Sequence, residues 1–465
     1  MNKFCYKDIK TLAVALPEDI EKKKWYGDFE GAIKLIDIWL DRDIPQSLRA
    51  KLQLEREILQ VLPAEYKMSF QEAFSALREK VPDLTKEEFI ELKDHGKIDW
   101  IYINGEERYH DDFVGTLLIT NKRMKKNRKT PSEKKALLDV IEQIRENKKC
   151  DCSIRMRASI RINDDAFKPG HVKVHIPVPC ICQQVKNVKI LDTSSSVYTL
   201  ADEKAPQRTI CFEEDMKENH TFYVEYEYTN HVEYVIPQPE CVEAIIPSQF
   251  EAELSEKLPH IQFTSYMKAL ALKLTQGIEN PYLKAQRIYD YITTHVEYSY
   301  VRNYWTIENL SEYAAIGQKG DCGIQALMFI TLCRICGIPA RWQSGLYANP
   351  YEVGMHDWAQ FYIAPYGWLF ADCSFGGSAY RDGDENRRNF YFGNLDPFRM
   401  PANSDFQEEL VPAKDYIRAD PYDNQRGEVE YTERGLRFYE FKSKYQMIKI
   451  SGLTGTLDIM PEPNA

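Results

Sequence analysis

The stretch GDCGIQALMFITLCRICGIPAR, residues 320–341, decides the fold of this chain. Asp321 is a good N-cap, the run that follows is apolar and free of proline, and Gly337 with Pro339 supplies a stop signal. This pattern predicts a helix that begins at Cys322. The helix is apolar nearly all round, which is typical of a buried helix and makes it a rigid support for its first residue.

A histidine and an aspartate follow in the next pair of predicted elements. Residues 358–363 and 368–371 are predicted strands, and a Pro-Tyr-Gly sequence between them predicts a turn. An antiparallel hairpin centred there places His356 and Asp372 at about the same level on neighbouring strands. Asp372 is then placed to hold one ring nitrogen of His356, and we expect the other nitrogen within about 4 Å of the Cys322 sulfur.

These three residue types, in this order, are the ones that nucleophilic thiol catalysis needs. The N-terminal end of a helix carries roughly half a positive charge, which favours the thiolate of Cys322. An adjacent His356 imidazolium favours it too, whereas the Asp321 carboxylate opposes it. We expect the attractive effects to win, so that the thiolate persists well below the pKa of about 8.5 of a free thiol.

The segment resembles the transglutaminase-like superfamily, the papain-like thiol fold shared by transglutaminases and microbial cysteine-protease relatives. The matching pieces are GDCG at 320–323, ALMFITLCR at 326–334, GIPAR at 337–341, HDW at 356–358, and GW at 367–368 running to Asp372. The resemblance covers about residues 260–375. It implies that Cys322 is the nucleophile, His356 the base and Asp372 the residue that orients the base.

The resemblance also implies that a side chain from the segment before the helix lines the oxyanion site. Tyr298, Trp305 and Gln318 are the candidates for this hydrogen bond, beside the backbone N–H of Cys322. The sequence does not choose among them.

Length, charge and cysteine content bound the class of protein. The 465 residues predict several domains, and a net charge of −11 argues against nucleic acid as a main partner. Eleven cysteines without a compact framework favour reduced thiols in a cytoplasm. The N-terminal apolar run at 11–16 is too short for a secretory signal, and no run approaches membrane-spanning length. We therefore expect a cytoplasmic protein without a membrane partner, and no oligomeric state follows.

The hydrophobic patterns and the resemblance together predict an α+β, multidomain protein with four parts. The patterns predict a mainly helical N-terminal region at 1–149, a β-sandwich at 150–246 and a β-rich C-terminal tail at 381–465 packed on the core. The resemblance implies a transglutaminase-like, papain-like core at 247–380. Amphipathic helices are predicted at 28–40, 45–62, 69–81 and 85–95, and an Asn-Gly hairpin turn follows them.

Four other features of the sequence have simpler explanations than a binding site. A helical segment that ends in a hairpin is compatible with a winged DNA-binding unit, but the surrounding charge is not basic enough. The basic cluster at 122–129 is better explained as a solvated linker than as an anion-binding patch. Two C-x-C pairs, Cys150/Cys152 and Cys180/Cys182, have too short a spacing for the usual thiolate metal site. Residues 382–393 begin like a calcium loop but lack its glycine and glutamate, so neither metal nor cofactor is expected.

The chemistry expected of this chain is thiol-dependent acyl transfer on an amide or peptide bond. Attack by Cys322 gives a thioester through an oxyanion, and water as acceptor makes the enzyme a cysteine peptidase or amidase. An amine as acceptor makes it a protein-glutamine transglutaminase, and a binding or scaffold protein that retains the triad is the alternative outside catalysis. The expected partner is a peptide or protein substrate.

Overall fold

The computed structural model describes residues 6–125 and 131–453. Its α-helices are α1 (Glu18–Trp25), α2 (Phe29–Leu40), α3 (Gln46–Glu65), α4 (Phe70–Lys80), α5 (Lys86–Asp94), α6 (Phe113–Thr120), α7 (Pro131–Asn147), α8 (Glu251–Leu254), α9 (Ser265–Thr275), α10 (Pro281–His295), α11 (Leu310–Gly317), α12 (Cys322–Ile335), α13 (Cys373–Arg381) and α14 (Glu385–Phe390). Its strands are β1 (Trp100–Ile103), β2 (Glu106–Tyr109), β3 (Lys149–Ile162), β4 (Gly170–Pro177), β5 (Val185–Thr193), β6 (Thr199–Leu200), β7 (Thr209–Met216), β8 (Thr221–Glu233), β9 (Glu297–Tyr298), β10 (Lys319–Gly320), β11 (Ala340–Ala348), β12 (Val353–Ile363), β13 (Gly367–Ala371), β14 (Phe392–Gly393), β15 (Arg399–Asn403), β16 (Glu428–Tyr431), β17 (Arg434–Gly435) and β18 (Phe441–Ser451). The α+β fold class is confirmed.

The N-terminal helices begin where their capping residues predict. Asp28 accepts a hydrogen bond from the Gly31 N–H at the start of α2, and Ser69 with Glu72 forms a capping box at the start of α4. β1 and β2 pair as the predicted hairpin, with positive φ at both residues of the Asn-Gly turn. The predicted elements of this region are therefore confirmed.

The core sheet carries the candidate site residues. It is antiparallel throughout, in the order β14-β13-β12-β11-β15. The buried helix α12 packs against β12 and β11. β12 and β13 form the predicted hairpin, with Ala359 paired to Ala371. In this register Asp372, just after β13, lies within two residues of the position opposite His356 in β12.

Two further sheets form the predicted sandwich, in the orders β17-β16-β4-β7-β6 and β18-β3-β8-β5. Along β3, buried residues alternate with more exposed ones, which is the pattern of a strand with one face on a core. Both sheets include strands from the far C-terminal part of the chain. β16 pairs with β4, and β18 pairs with β3 over most of its length.

The strands of the C-terminal tail divide between the sheets. β14 and β15 join the core sheet, whereas β16, β17 and β18 pair with strands of the sandwich, and β18 also contacts β12 of the core. The physical reason is that β3 and β4 each need a partner along one edge, because unpaired backbone groups at a sheet edge are costly when covered. The four predicted domain boundaries stay predictions.

The structure also bears on the basic cluster, on metal-ligating groups and on membrane-spanning helices. Lys126, Arg128 and Lys129 of the basic cluster lie outside the described residues, while Arg123 pairs with Asp83 and Glu88. Within residues 6–125 and 131–453, no group of three or more metal-ligating side chains is arranged around a common point. No helix in that part of the chain is both long and apolar enough to span a bilayer.

Candidate active site

Cys322 is the first residue of α12, as predicted. The Asp321 carboxylate caps the helix by accepting a hydrogen bond from the Ile324 N–H at 3.2 Å. The Tyr304 hydroxyl donates to the same carboxylate at 2.5 Å. Gly323 allows this close packing, because a Cβ at that position would lie 2.7 Å from Asp357 Oδ2. The helix start therefore holds the thiol in a crowded environment beside two carboxyl groups, those of Asp321 and Asp357.

The Cys322 thiol donates a hydrogen bond to Asp357 Oδ2 at 3.2 Å. Burial raises the pKa of Cys322 well above its ordinary value, and the charges of Asp357 and Asp321 raise it further. The expectation of a lowered thiol pKa is therefore wrong for this arrangement. The partial charge of a helix end does not offset the loss of water and the charge of the neighbouring carboxyl groups.

Asp357 is the residue that the sequence reasoning missed. Burial raises its pKa to about 7, so the carboxyl group changes charge near neutral pH. Gln425 Nε2 donates to Asp357 Oδ1 at 2.5 Å and to the backbone carbonyl of His356 at 3.1 Å. The predicted strand did contain a signal for Asp357. Neighbouring side chains of a strand point to opposite faces of the sheet, so Asp357 must face the side opposite to His356.

His356 and Asp372 are brought together. His356 Nε2 donates to Asp372 Oδ2 at 2.7 Å, and both side chains are buried. Burial lowers the pKa of His356, although the negative charge of Asp372 acts to raise it. Burial opposes ionisation of Asp372 as well, but the charges of His356 and Arg399 hold its pKa below the ordinary value. This leaves Nδ1 as the ring nitrogen that is available for proton transfer.

Cys322 and His356 are not hydrogen-bonded to each other in the described structure. Asp357 lies on the α12 side of β12, as does Phe361, whose ring lies 5.6 Å from that of Phe329 in α12. His356 instead packs against Phe375, with ring centroids 4.6 Å apart. Consecutive side chains of a strand point to opposite faces, so the thiol contacts Asp357 and not His356. The catalytic roles assigned to Cys322, His356 and Asp372 stay predictions.

The three oxyanion candidates occupy different surroundings. Tyr298 lies in β9 beside Gly320, two residues before Cys322, and burial followed by the charges of Cys322 and Asp321 raises its pKa. The Trp305 indole is buried, and its N–H has no hydrogen-bond partner among the described residues. Gln318 is exposed, and its amide donates to the Tyr291 hydroxyl at 3.5 Å. Only Tyr298 is placed by these contacts next to the thiol.

A second pair of charged residues, also missed in the sequence, lies behind Asp372. Arg399 Nη1 lies 2.9 Å from Asp372 Oδ2, and Arg399 Nη2 donates to Asp396 Oδ2 at 2.7 Å. Neither residue belongs to a short motif, and both follow Asp372 by more than 20 positions. No local pattern in the sequence could have placed them at this site.

Comparison with protein families identifies the part of the chain that carries this site. Residues 268–373 match the family model of the transglutaminase-like superfamily. The resemblance expected from the sequence is thereby confirmed, and the match includes Cys322, His356 and Asp372. We refer to residues 268–373 as the transglutaminase-like domain.

Solved structures show more distant similarity. A candidate cysteine protease from Cytophaga hutchinsonii has 17% identity and a TM-score of 0.43, with 68% of this chain and 94% of that chain covered. The periplasmic domain of TgpA from Pseudomonas aeruginosa has 13% identity and a TM-score of 0.30, with 54% and 96% covered. No curated protein matches the chain. The family assignment therefore rests on the match of residues 268–373.

Proposed function

We propose that this chain is a thiol-dependent acyl-transfer enzyme that hydrolyses amide or peptide bonds, with Cys322 as nucleophile. The observation that carries the proposal is the buried His356–Asp372 hydrogen bond of 2.7 Å on the strand next to the N-terminal end of α12. A histidine oriented by a carboxylate, on a strand whose next residue contacts a cysteine at a helix start, supplies the residue types that thiol catalysis requires. The transglutaminase-like domain contains all of these parts.

The proposed reaction begins with transfer of the Cys322 proton to His356 Nδ1. Because Nε2 donates to Asp372, the neutral ring has its lone pair on Nδ1 and can accept that proton. The thiolate attacks the amide carbonyl, and the oxyanion forms beside the Cys322 N–H, with Tyr298 as the proposed second donor. The imidazolium protonates the leaving amine, and water activated by His356 then hydrolyses the thioester.

This sequence requires the sulfur to leave Asp357 before it reaches His356. Its hydrogen bond to Asp357 and its raised pKa favour the protonated thiol, which is a weak nucleophile. We propose that the described arrangement is the resting one, and that substrate binding favours a rearrangement that brings the sulfur and the His356 ring together.

A peptide library, incubated with and without a fluorescent primary amine and analysed by mass spectrometry, tests the proposal. We expect hydrolysis products from the wild type and none from Cys322→Ala. The rate should fall by roughly three to four orders of magnitude in Asp372→Asn, because the amide can hold the wrong ring nitrogen. Cys336→Ala, at the other end of α12, is the matched control and should keep the wild-type rate.

The other outcomes decide between the alternatives. Incorporation of the amine in place of hydrolysis makes the protein a transglutaminase. Products that persist in Cys322→Ala would overturn the thiol mechanism. Absence of any product, together with no faster alkylation of Cys322 than of the other thiols, would favour a binding or scaffold protein. A peptide or protein substrate and a cytoplasmic location remain part of the proposal.

A further inference from the structure

We propose that Arg399 is a positioning residue of this site, which holds the Asp372 carboxylate in place and thereby orients His356. The inference rests on the proposed function, because it assigns Arg399 a part in the same proton transfer. Arg399 touches neither the thiol nor the His356 ring through a hydrogen bond, so it acts through Asp372.

The geometry places one hydrogen bond and one ion-pair contact on a single carboxylate oxygen. Asp372 Oδ2 lies 2.7 Å from His356 Nε2 and 2.9 Å from Arg399 Nη1. Asp372 Oδ1 accepts the Phe375 N–H at 2.8 Å, at the start of α13. The carboxylate is therefore held from three directions, and its rotation is restricted to the orientation that receives the imidazole. Such contacts behind a functional group determine how precisely it is aimed.

The charges around Arg399 are balanced by Asp396. Arg399, Asp372 and Asp396 are each 0–1% exposed, so water does not screen them. Asp396 Oδ2 also accepts the Tyr391 hydroxyl at 3.0 Å, and Asp396 Oδ1 accepts the Phe398 N–H at 3.0 Å. One cation and two anions leave one net negative charge, which matches the positive charge that His356 gains during the reaction.

Aromatic rings enclose the guanidinium and fix its position. The rings of Phe375, Tyr347, Trp358 and Tyr391 lie 4.5, 5.1, 5.4 and 5.9 Å from Arg399 Cζ. Stacking of this kind stabilises a desolvated guanidinium that has few hydrogen bonds. Two of the rings, Phe375 and Trp358, also lie against His356 at 4.6 and 6.0 Å. Arg399 and His356 therefore share one rigid pocket.

Removal of Arg399 must avoid a trivial loss of the fold. Arg399→Met alone leaves two buried carboxylates facing each other, which is strongly destabilising. The double variant Arg399→Met, Asp396→Asn removes the cation together with the anion that balances it, so the net charge is unchanged. Arg399→Lys keeps the charge and loses the planar fork. Arg334→Met is the matched control. Arg334 lies in the last turn of α12, far from Cys322, and is also buried. It donates hydrogen bonds to the backbone carbonyls of Ala340, Ala252 and Ser255.

The measurements are kcat, KM and the pH profile of kcat/KM, together with the 15N spectrum of the His356 imidazole. We expect the double variant to lose roughly 10- to 100-fold in kcat with little change in KM, as when the partner of an orienting carboxylate is removed. The acid limb of the profile should move to higher pH, because Arg399 lowers the pKa of Asp372 and of His356. Loss of Asp396 acts in the opposite direction on His356, but the effect of Arg399 is the larger one. Arg399→Lys should recover part of the loss. In the double variant, a mixture of the Nε2–H and Nδ1–H tautomers of His356 should replace the Nε2–H tautomer.

A purely structural role predicts a different result. The double variant would then melt at a lower temperature, as Arg334→Met does, but keep the wild-type pH midpoint and the Nε2–H tautomer, and the inference would be overturned. The 15N spectrum separates this inference from the proposed function. If the wild type has no Cys322-dependent activity, the proposed function fails, whereas the tautomer still shows whether Arg399 orients His356.

Discussion

At the scale of single residues, Asp357 controls the charge of the thiol. Its Oδ2 accepts a hydrogen bond from the Cys322 thiol at 3.2 Å. Because the pKa of Asp357 is about 7, its carboxyl group is charged above neutral pH. A negative charge at this distance disfavours a second one, so the thiol keeps its proton. Asp357 therefore opposes the effect of the helix start on the same sulfur.

Replacement of Asp357 by Asn should lower the pKa of Cys322, because the repelling charge is removed while a hydrogen-bond acceptor remains. We expect the midpoint of the alkylation rate against pH to move down by roughly one unit or more. The measurement is the rate of iodoacetamide labelling of the Cys322 peptide between pH 5 and 10. Asp215→Asn, which changes an exposed carboxylate in β7, should leave the curve in place. Superimposed curves for Asp357→Asn and wild type would show that burial alone raises the pKa.

At the scale of elements, the covering segment between β15 and β16, residues 404–427, lies against the site. Its Tyr422 ring lies 4.7 Å from His260 and 6.1 Å from Tyr304. Its Gln425 amide holds both Asp357 and the backbone of His356. The segment has little regular secondary structure and is anchored by buried side chains such as Phe406 and Tyr422, so its position depends on these tertiary contacts.

Loss of the Gln425 amide should make the thiol more accessible. In Gln425→Ala we expect Cys322 alkylation to accelerate at every pH, by about fivefold for each hydrogen bond of about 1 kcal/mol that is lost. The pH midpoint should change much less than in Asp357→Asn. Gln60→Ala, at an exposed position of α3, is the control and should label like the wild type. An unchanged rate would mean that the covering segment does not limit access.

At the scale of the whole molecule, the C-terminal strands join parts of the chain that are far apart in sequence. Ile450 in β18 pairs with Ile154 in β3 and is 1% exposed. β16 pairs with β4 in the other sheet. The covering segment leads directly into β16, so the sandwich anchors the end of the segment that contacts the site.

A charge inside this strand should destabilise the protein, whereas a charge on its exposed side should not. We expect Ile450→Asp to reduce the free energy of unfolding by about 3 kcal/mol or more, because a carboxylate is placed in the core without a partner. Lys449→Asp puts the same group on the neighbouring exposed residue and should change stability by about 0.5 kcal/mol or less. The measurement is thermal or urea unfolding of both variants. Equal melting temperatures would show that β18 is not integral to the fold.

Local signals determined the parts of this protein that depend on a few neighbouring residues. The Asp321 cap and the Gly337 stop define α12 and put Cys322 at its start. The Pro-Tyr-Gly turn brings Asp372 within two residues of the level of His356. Each signal acts over a single helix or hairpin, where backbone geometry leaves few alternatives.

Only the tertiary structure decided which groups surround the thiol and how they are charged. Asp357 reaches Cys322 because of the way α12 packs on β12, and Arg399 reaches Asp372 because β15 joins the edge of the same sheet. The pKa of Cys322 rises because burial and neighbouring carboxylates outweigh the partial charge of the helix end. Desolvation and long-range strand pairing depend on segments distant in sequence, which leave no local pattern to read.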